Sequence, residues 1–235
     1  MKIYKNIFLF CFILSLNIQS YEGVRNEIIF SKKPPLKLSE YGFFKNMNSQ
    51  LPSKGVLPYT LESQLFSDYA DKLRFIYIPE NKFAKNVPNR VFGFPDGTAL
   101  IKTFAYLNQH SSSNLPSQLL ETRLLIKKNG EWSNVSYIWN KDQDEAFLSI
   151  AGITIPTKFI NNNGELKDVR YRVPNINQCK ECHQVNKTIT PIGPKARNLN
   201  VDYTYGDETM NQLEKWHKLG WIDGEYPIKS MVDWA

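Results

Sequence analysis

Between residues 59 and 174 the apolar positions recur in short alternating runs, each closed by proline, glycine or asparagine, which is the pattern of strands and turns rather than helices. Residues 73–78 are β-branched and aromatic and stop at Pro79, and residues 98–106 follow the turn Pro95-Asp96-Gly97. Two hairpins are legible from their turns. Residues 119–127 and 132–139 flank Asn129-Gly130, a pair that tolerates the positive φ angles of a tight turn. Residues 153–160 and 165–173 flank Asn161-Asn162-Asn163-Gly164. Strands joined by turns predict a mainly β protein, with an antiparallel sheet domain over residues 59–174 that is folded on itself or covered on one face.

The flanking segments read differently. Residues 21–58 are rich in Lys, Ser, Asn and Pro and predict an extended lead-in that docks through Tyr41, Phe43 and Phe44. In the C-terminal segment, residues 175–235, the stretch 188–200 carries Pro191, Gly193 and Pro194 and predicts an irregular loop. A helix is expected over residues 207–219, with Asp207 as its N-cap and a stop before Gly220. Met210, Leu213 and Trp216 then share its apolar face, with His217 beside them. One or two short helices complete the expected fold.

At the start of the chain, Lys2 and Lys5 precede an apolar run over residues 7–16 and the small residue Ser20. This predicts a secretory signal peptide over residues 1–20, with an uncleaved anchor as the alternative. The run is short for a membrane span, no second apolar stretch approaches that length, and the mature chain is expected to be periplasmic or secreted and not membrane-spanning. Cys11 leaves with the signal. Cys179 and Cys182 remain as the only thiols, so about 215 residues must supply their own core. The net charge of +6 includes Lys2 and Lys5, and the other basic residues are interspersed with acidic ones. No dense Lys/Arg tract follows a phosphate backbone, which argues against nucleic acid as a partner.

The most specific chemistry lies in Cys179-Lys180-Glu181-Cys182-His183, because Cys-x-x-Cys-His is the attachment signature of a c-type haem. Two thiols at this spacing add to the two vinyl groups of one porphyrin, and His183 presents an imidazole to the iron as the proximal ligand. A structural zinc site needs about four N/S ligands, and outside this pentapeptide the chain offers only Cys11, His110 and His217. A thioredoxin-like dithiol normally opens a helix in a βαβ pattern, whereas residues 169–174 approach the motif like a strand. A plain disulfide is the remaining alternative in an oxidising compartment. The expected cofactor is one covalent haem c. Lys195 and Arg197 are the nearest cationic pair for its carboxylates, with ordinary surface charge as their other reading.

Several segments occur together: Leu65-Phe66-Ser67-Asp68-Tyr69-Ala70, Phe94-Pro95-Asp96-Gly97-Thr98 with Lys102-Thr103-Phe104, Glu121-Thr122-Arg123-Leu124, Tyr137-Ile138-Trp139-Asn140, the haem motif, and Pro191-Ile192-Gly193-Pro194-Lys195-Ala196-Arg197. In these the chain resembles a group of secreted bacterial haem-binding or c-type cytochrome proteins of unassigned activity. Some relatives are joined to quinoprotein-like sugar dehydrogenase domains, so the resemblance implies a redox partner protein of that kind. A weaker similarity, in the Phe-Pro-Asp-Gly-Thr turn and the Trp-bearing hairpin, is to the β-sheet cytochromes c-prime-beta and their lysine-crosslinked relatives. That likeness implies a haem-facing role for Lys102, while strand alternation alone reads it as solvent-facing.

The second axial position separates the functional readings. Met210 would give a six-coordinate carrier with a raised potential, and His217 a bis-histidine haem with a lower one; a Met on a helix's apolar face is otherwise core filling. His110, beside Ser111-Ser112-Ser113, reads as exposed. The leading expectation is an exported single-haem cytochrome that takes electrons from a periplasmic dehydrogenase. An open-coordination haem enzyme or small-ligand sensor on a β-sheet body is the second reading, and a non-haem secreted binding module the third.

Overall fold

The computed structural model describes residues 23–63, 69–107, 116–161, 163–175, 184–185 and 188–224. The lead-in contains helix α1 (Asn26–Ile29), a 3-10 turn (Leu38–Tyr41), and strands β1 (Phe44–Asn46), β2 (Leu51–Pro52) and β3 (Val56–Tyr59). Next come β4 (Asp71–Tyr77), β5 (Ala99–Tyr106), β6 (Gln118–Lys128), β7 (Glu131–Trp139) and β8 (Ala146–Ser149). They are followed by β9 (Ile153–Ile160), β10 (Leu166–Val173), β11 (Gln184–Val185) and β12 (Thr188–Ile189). The C-terminal part holds α2 (Ala196–Leu199), β13 (Asp202–Tyr205), β14 (Glu208–Asn211) and α3 (Gln212–Lys218).

Strands β3 to β8 form one six-stranded antiparallel meander in sequence order. The mainly β, antiparallel character expected from the alternation is present, and among the described residues three short α-helices accompany it. Asn129 and Gly130 turn β6 into β7 with φ angles of 51° and 79°, the left-handed pair a two-residue hairpin requires. Gly97 has φ +92°, and a Cβ there would stand 2.6 Å from Pro79 Cγ, so this turn needs glycine on both counts.

Three sequence expectations need correction. The sheet begins inside the lead-in, because Val56 to Tyr59 pair with Tyr77 to Arg74. Strands β9 and β10 form their own two-stranded ribbon instead of extending the meander. Both sheet faces are covered instead of one: every residue of β5 is buried except the half-buried Lys102.

On the first face the lead-in supplies the cover. Ile29, Leu38, Tyr41, Phe43 and Phe44 pack against Phe75, Ile101, Leu124, Tyr137 and Trp139. The expected aromatic docking is therefore what the lead-in does, with Tyr41 stacked on Phe43 at 5.0 Å and Phe44 edge-on to Phe75 at 5.0 Å. Polar groups buried here are paired in a chain. Trp139 Nε1 donates to Thr122 Oγ1 (3.0 Å), the Thr122 and Thr103 hydroxyls are 2.7 Å apart, and Thr103 Oγ1 donates to Gln50 Oε1 (2.6 Å).

The second face is covered in two pieces. At one end Leu199, Leu213, Trp216 and Ile222 of the C-terminal part, with Phe92 and Phe94, pack on Tyr59, Ile76 and Leu100. At the other end Phe159, Tyr171 and Val173 of the ribbon pack on Phe104, Tyr106 and Leu120.

The expected C-terminal helix is shorter than its predicted span. Asp207 follows Gly206 (φ 65°) in the turn of the hairpin β13–β14, where Tyr203 and Thr204 pair with Met210 and Thr209. A Gly-Asp turn between alternating Tyr and Thr residues is a hairpin signal, and it outweighs Asp207 as a cap. Asn211 caps the helix instead, its side chain accepting from Leu213 N at 3.0 Å. Met210 consequently sits on a strand and not on the apolar face that Leu213 and Trp216 bury.

Gln212 ties the C-terminal part to the sheet edge. Its fully buried side chain accepts from Thr60 N (2.7 Å) through Oε1 and donates to Thr60 O (3.1 Å) and Leu199 O (3.3 Å) through Nε2. Gln212→Leu is of similar size but strands these backbone groups, so urea denaturation should show a loss of about 2–4 kcal/mol. A variant as stable as the parent would mean that this tie contributes nothing.

Candidate functional site

The second face carries one register row that is not apolar. Tyr59 pairs with Arg74, Arg74 with Lys102, Lys102 with Arg123, Arg123 with Ser136 and Ser136 with Ser149. Because side chains alternate across a strand, these residues share the face that the ribbon and the C-terminal part cover from either end. The cationic row lies between the two apolar clusters.

Neighbouring groups hold the row in place. Glu121, fully buried, takes Arg123 in a fork, with Nε to Oε2 at 2.9 Å and Nη2 to Oε1 at 2.5 Å. Tyr171 of the ribbon donates its hydroxyl to the same Oε1 at 2.7 Å, which pins β10 over this region. Burial, and then the Glu121 charge, raise the Tyr171 hydroxyl well above its ordinary value, so it stays a donor. The Phe104 ring takes two cations, with Lys102 Nζ 4.9 Å and Arg123 Cζ 4.4 Å from its centroid.

Lys102 is half-buried on this face, which overturns the solvent-facing reading that strand alternation suggested. That reading failed because it assumed a solvated outer face, and no such face exists along β5. Burial, with Arg123 and Arg74 adding repulsion, pulls the Lys102 ammonium down to about 8. Among the described residues its Nζ meets the Phe104 ring but no hydrogen-bond acceptor. One register position away on the same face of β7, Asn134 Nδ2 is buried without a partner. The Trp216 Nε1 of the C-terminal cover is also buried and unpartnered.

Cys179, Cys182 and His183 lie outside the described residues, as do Cys11, Lys180, Glu181 and His110. The chain enters the motif segment at Asn175, directly after β10, and leaves it at Gln184 in β11. The motif is therefore the link between the ribbon and the C-terminal part, the two covers of the same face. Val173 pairs with Ile153, and only residues 150–152 separate Ile153 from Ser149 at the end of the charged row. Gly152 makes this junction close, since a Cβ there would meet Val173 O at 2.6 Å and Asn175 N at 2.8 Å.

The distal candidates stand on separate elements. Met210 is half-buried on β14, opposite Tyr203. His217 is half-buried on α3, with Nε2 3.0 Å from the Gly224 carbonyl oxygen. Lys195 precedes α2 and is half-buried, while Arg197 within α2 is exposed. Among the described residues, no three His, Cys, Asp or Glu side chains gather, and no helix is long and apolar enough to cross a membrane. Compared with known proteins, the chain matches no family model, no curated protein and no solved structure.

Sequence reasoning missed the row. Its members are dispersed over six strands, and the signal that finds them is register: a hairpin turn at Asn129-Gly130 sets Arg123 opposite Ser136. In the chain made without haem and in chloride buffer, the lowered ammonium implies a specific pH dependence. Lys102 binds its proton more weakly folded than unfolded, so its own contribution to stability rises from about pH 8 towards pH 10, by on the order of 2 kcal/mol. Burial raises the hydroxyls of Tyr41, Tyr59, Tyr137, Tyr171, Tyr203 and Tyr205, and these oppose the rise as pH approaches 10, in parent and variant alike. Lys102→Met should therefore be more stable than the parent at pH 7, with an advantage that shrinks towards pH 10; a difference in urea midpoint that is the same at pH 8 and pH 10 contradicts the assignment.

Proposed function

We propose that this chain is an exported single-haem c-type cytochrome in which Cys179 and Cys182 carry the haem by thioether bonds and His183 is the proximal ligand. The observation that carries the reading is the Cys-x-x-Cys-His pentapeptide in a chain whose one other cysteine, Cys11, lies in the expected signal segment. The fold supports it in two ways. The motif links two apolar covers of one sheet face, and that face holds a buried unpartnered amide, Asn134, and an ammonium without an acceptor among the described residues, Lys102. Apolar walls beside orphaned donors fit an amphipathic planar group with anionic edges.

When bound, a haem c supplies one-electron redox chemistry at its iron. The polypeptide's part is to hold His183 by its place directly after Cys182, to exclude water with the apolar clusters at the two ends of the face, one around Trp216 and one around Phe104 and Tyr106, and to set the local charge. Electron transfer from a periplasmic dehydrogenase, of the quinoprotein kind by resemblance, is the role this composition suits.

A second reading, an open iron that binds a small ligand or substrate, draws support from the distal candidates. His217 directs Nε2 at the Gly224 carbonyl, and Met210 is displaced from the helix face onto a strand. Lys195 and Arg197 lie near the motif in sequence, at the start of α2 and within it.

Protein made in a host that matures cytochromes c should keep its haem colour on a denaturing gel, and Cys179→Ala with Cys182→Ala should lose it. Colour that extracts from the unmutated protein into acidic organic solvent contradicts the proposal. Carbon monoxide then separates the two roles. A carrier with Met210 as ligand resists it and loses potential in Met210→Ala, whereas rapid binding to the reduced protein identifies an open iron.

A further inference from the structure

The charged row has a feature that the scaffold does not require. Arg123 pins Glu121 and Arg74 donates to Lys72 O at 3.1 Å, whereas Lys102, set between them in register, makes no such tie among the described residues. Like charges directly opposite each other on neighbouring strands repel, and cations in a covered layer lose hydration. Glu121 answers for Arg123. Lys102, between the two guanidinium side chains, has an aromatic ring against its ammonium and no acceptor among the described residues.

The Phe104 ring offers Lys102 no hydrogen-bond acceptor. An ammonium set between two guanidiniums in a covered layer asks for an oxyanion that accepts several hydrogen bonds at once.

We infer that Lys102, with Arg74 and Arg123 on either side of it in register, forms a seat for a carboxylate or comparable oxyanion on the covered face of the sheet. The haem's own carboxylates are the source that connectivity favours, and that source rests on the function proposed above. Asn175 adjoins the ribbon pinned by Tyr171 to Glu121. Chain at no more than about 3.6 Å per residue ties Cys179 within about 14 Å of Asn175, a tether that permits an attached porphyrin to reach this face. A free small oxyanion is the other source.

The test compares the parent with Lys102→Gln and Lys102→Arg, each checked for a cooperative melt, and with Lys102→Met should Lys102→Gln fail to fold. In the haem-loaded protein, Lys102→Gln should shift the propionate bending modes of the resonance Raman spectrum and lower the reduction potential, because a cation beside the haem favours the reduced form. Covalent haem should stay at one per chain, and Lys102→Arg should restore both readouts. In the same chain made without haem, phosphate against chloride at equal ionic strength should raise the parent's Tm by about 3 °C or more and the Lys102→Gln variant's by less than a third of that. Moved Raman modes identify the haem carboxylates as occupant; unmoved modes with a lost phosphate response identify a free oxyanion. If both readouts are unchanged in folded Lys102→Gln, the seat does not exist. A parent without covalent haem overturns the function proposed above and leaves the phosphate arm to decide the seat.

Discussion

One sheet has to bury both of its faces while carrying a row of cations on one of them. An apolar layer accepts such a row only where the groups are paired, solvated or offered a ligand. The fold meets the condition by splitting the cover. The C-terminal part seals the end around Ile76 and Leu100, the β9–β10 ribbon seals the end around Phe104 and Tyr106, and the Arg74–Lys102–Arg123 row is left between them. Glu121 is the pin of this arrangement, since it is fully buried and holds both Arg123 and the ribbon's Tyr171. The haem motif belongs to the same solution, because it is the stretch of chain that joins one cover to the other.

The opposite face has the complementary task. There the lead-in brings five large side chains onto the sheet, and every buried hydroxyl, amide and indole in the Gln50–Thr103–Thr122–Trp139 chain is paired. A layer satisfied in this way is rigid and specifies one register. Rigidity on that side fixes the strand positions that place Arg74, Lys102 and Arg123 opposite one another on the other.

Local signals made much of this legible from the residues. Asn129-Gly130 placed a hairpin where β6 meets β7, and the aromatic cluster Tyr41, Phe43 and Phe44 foretold a docked lead-in. What failed did so for non-local reasons. Strand β3 looks like part of a proline-containing leader until its pairing with β4 is known, and the ribbon looks like two more strands of the meander until its packing is known. Asp207 is a good helix cap in isolation, but a Gly-Asp turn between Tyr205 and Glu208 closes a hairpin first. For the candidate site, the proposed attachment residues Cys179, Cys182 and His183 are readable because five adjacent letters specify the motif. Arg74, Lys102 and Arg123 are not, because only register across three strands brings them together.

Intact-mass spectrometry of the exported protein tests the central claim most directly, because thioether attachment is an addition that expels no atoms from either thiol. The account predicts the mass of the mature polypeptide plus one complete haem. A mass equal to the polypeptide less two hydrogens, the signature of a Cys179–Cys182 disulfide, would contradict it.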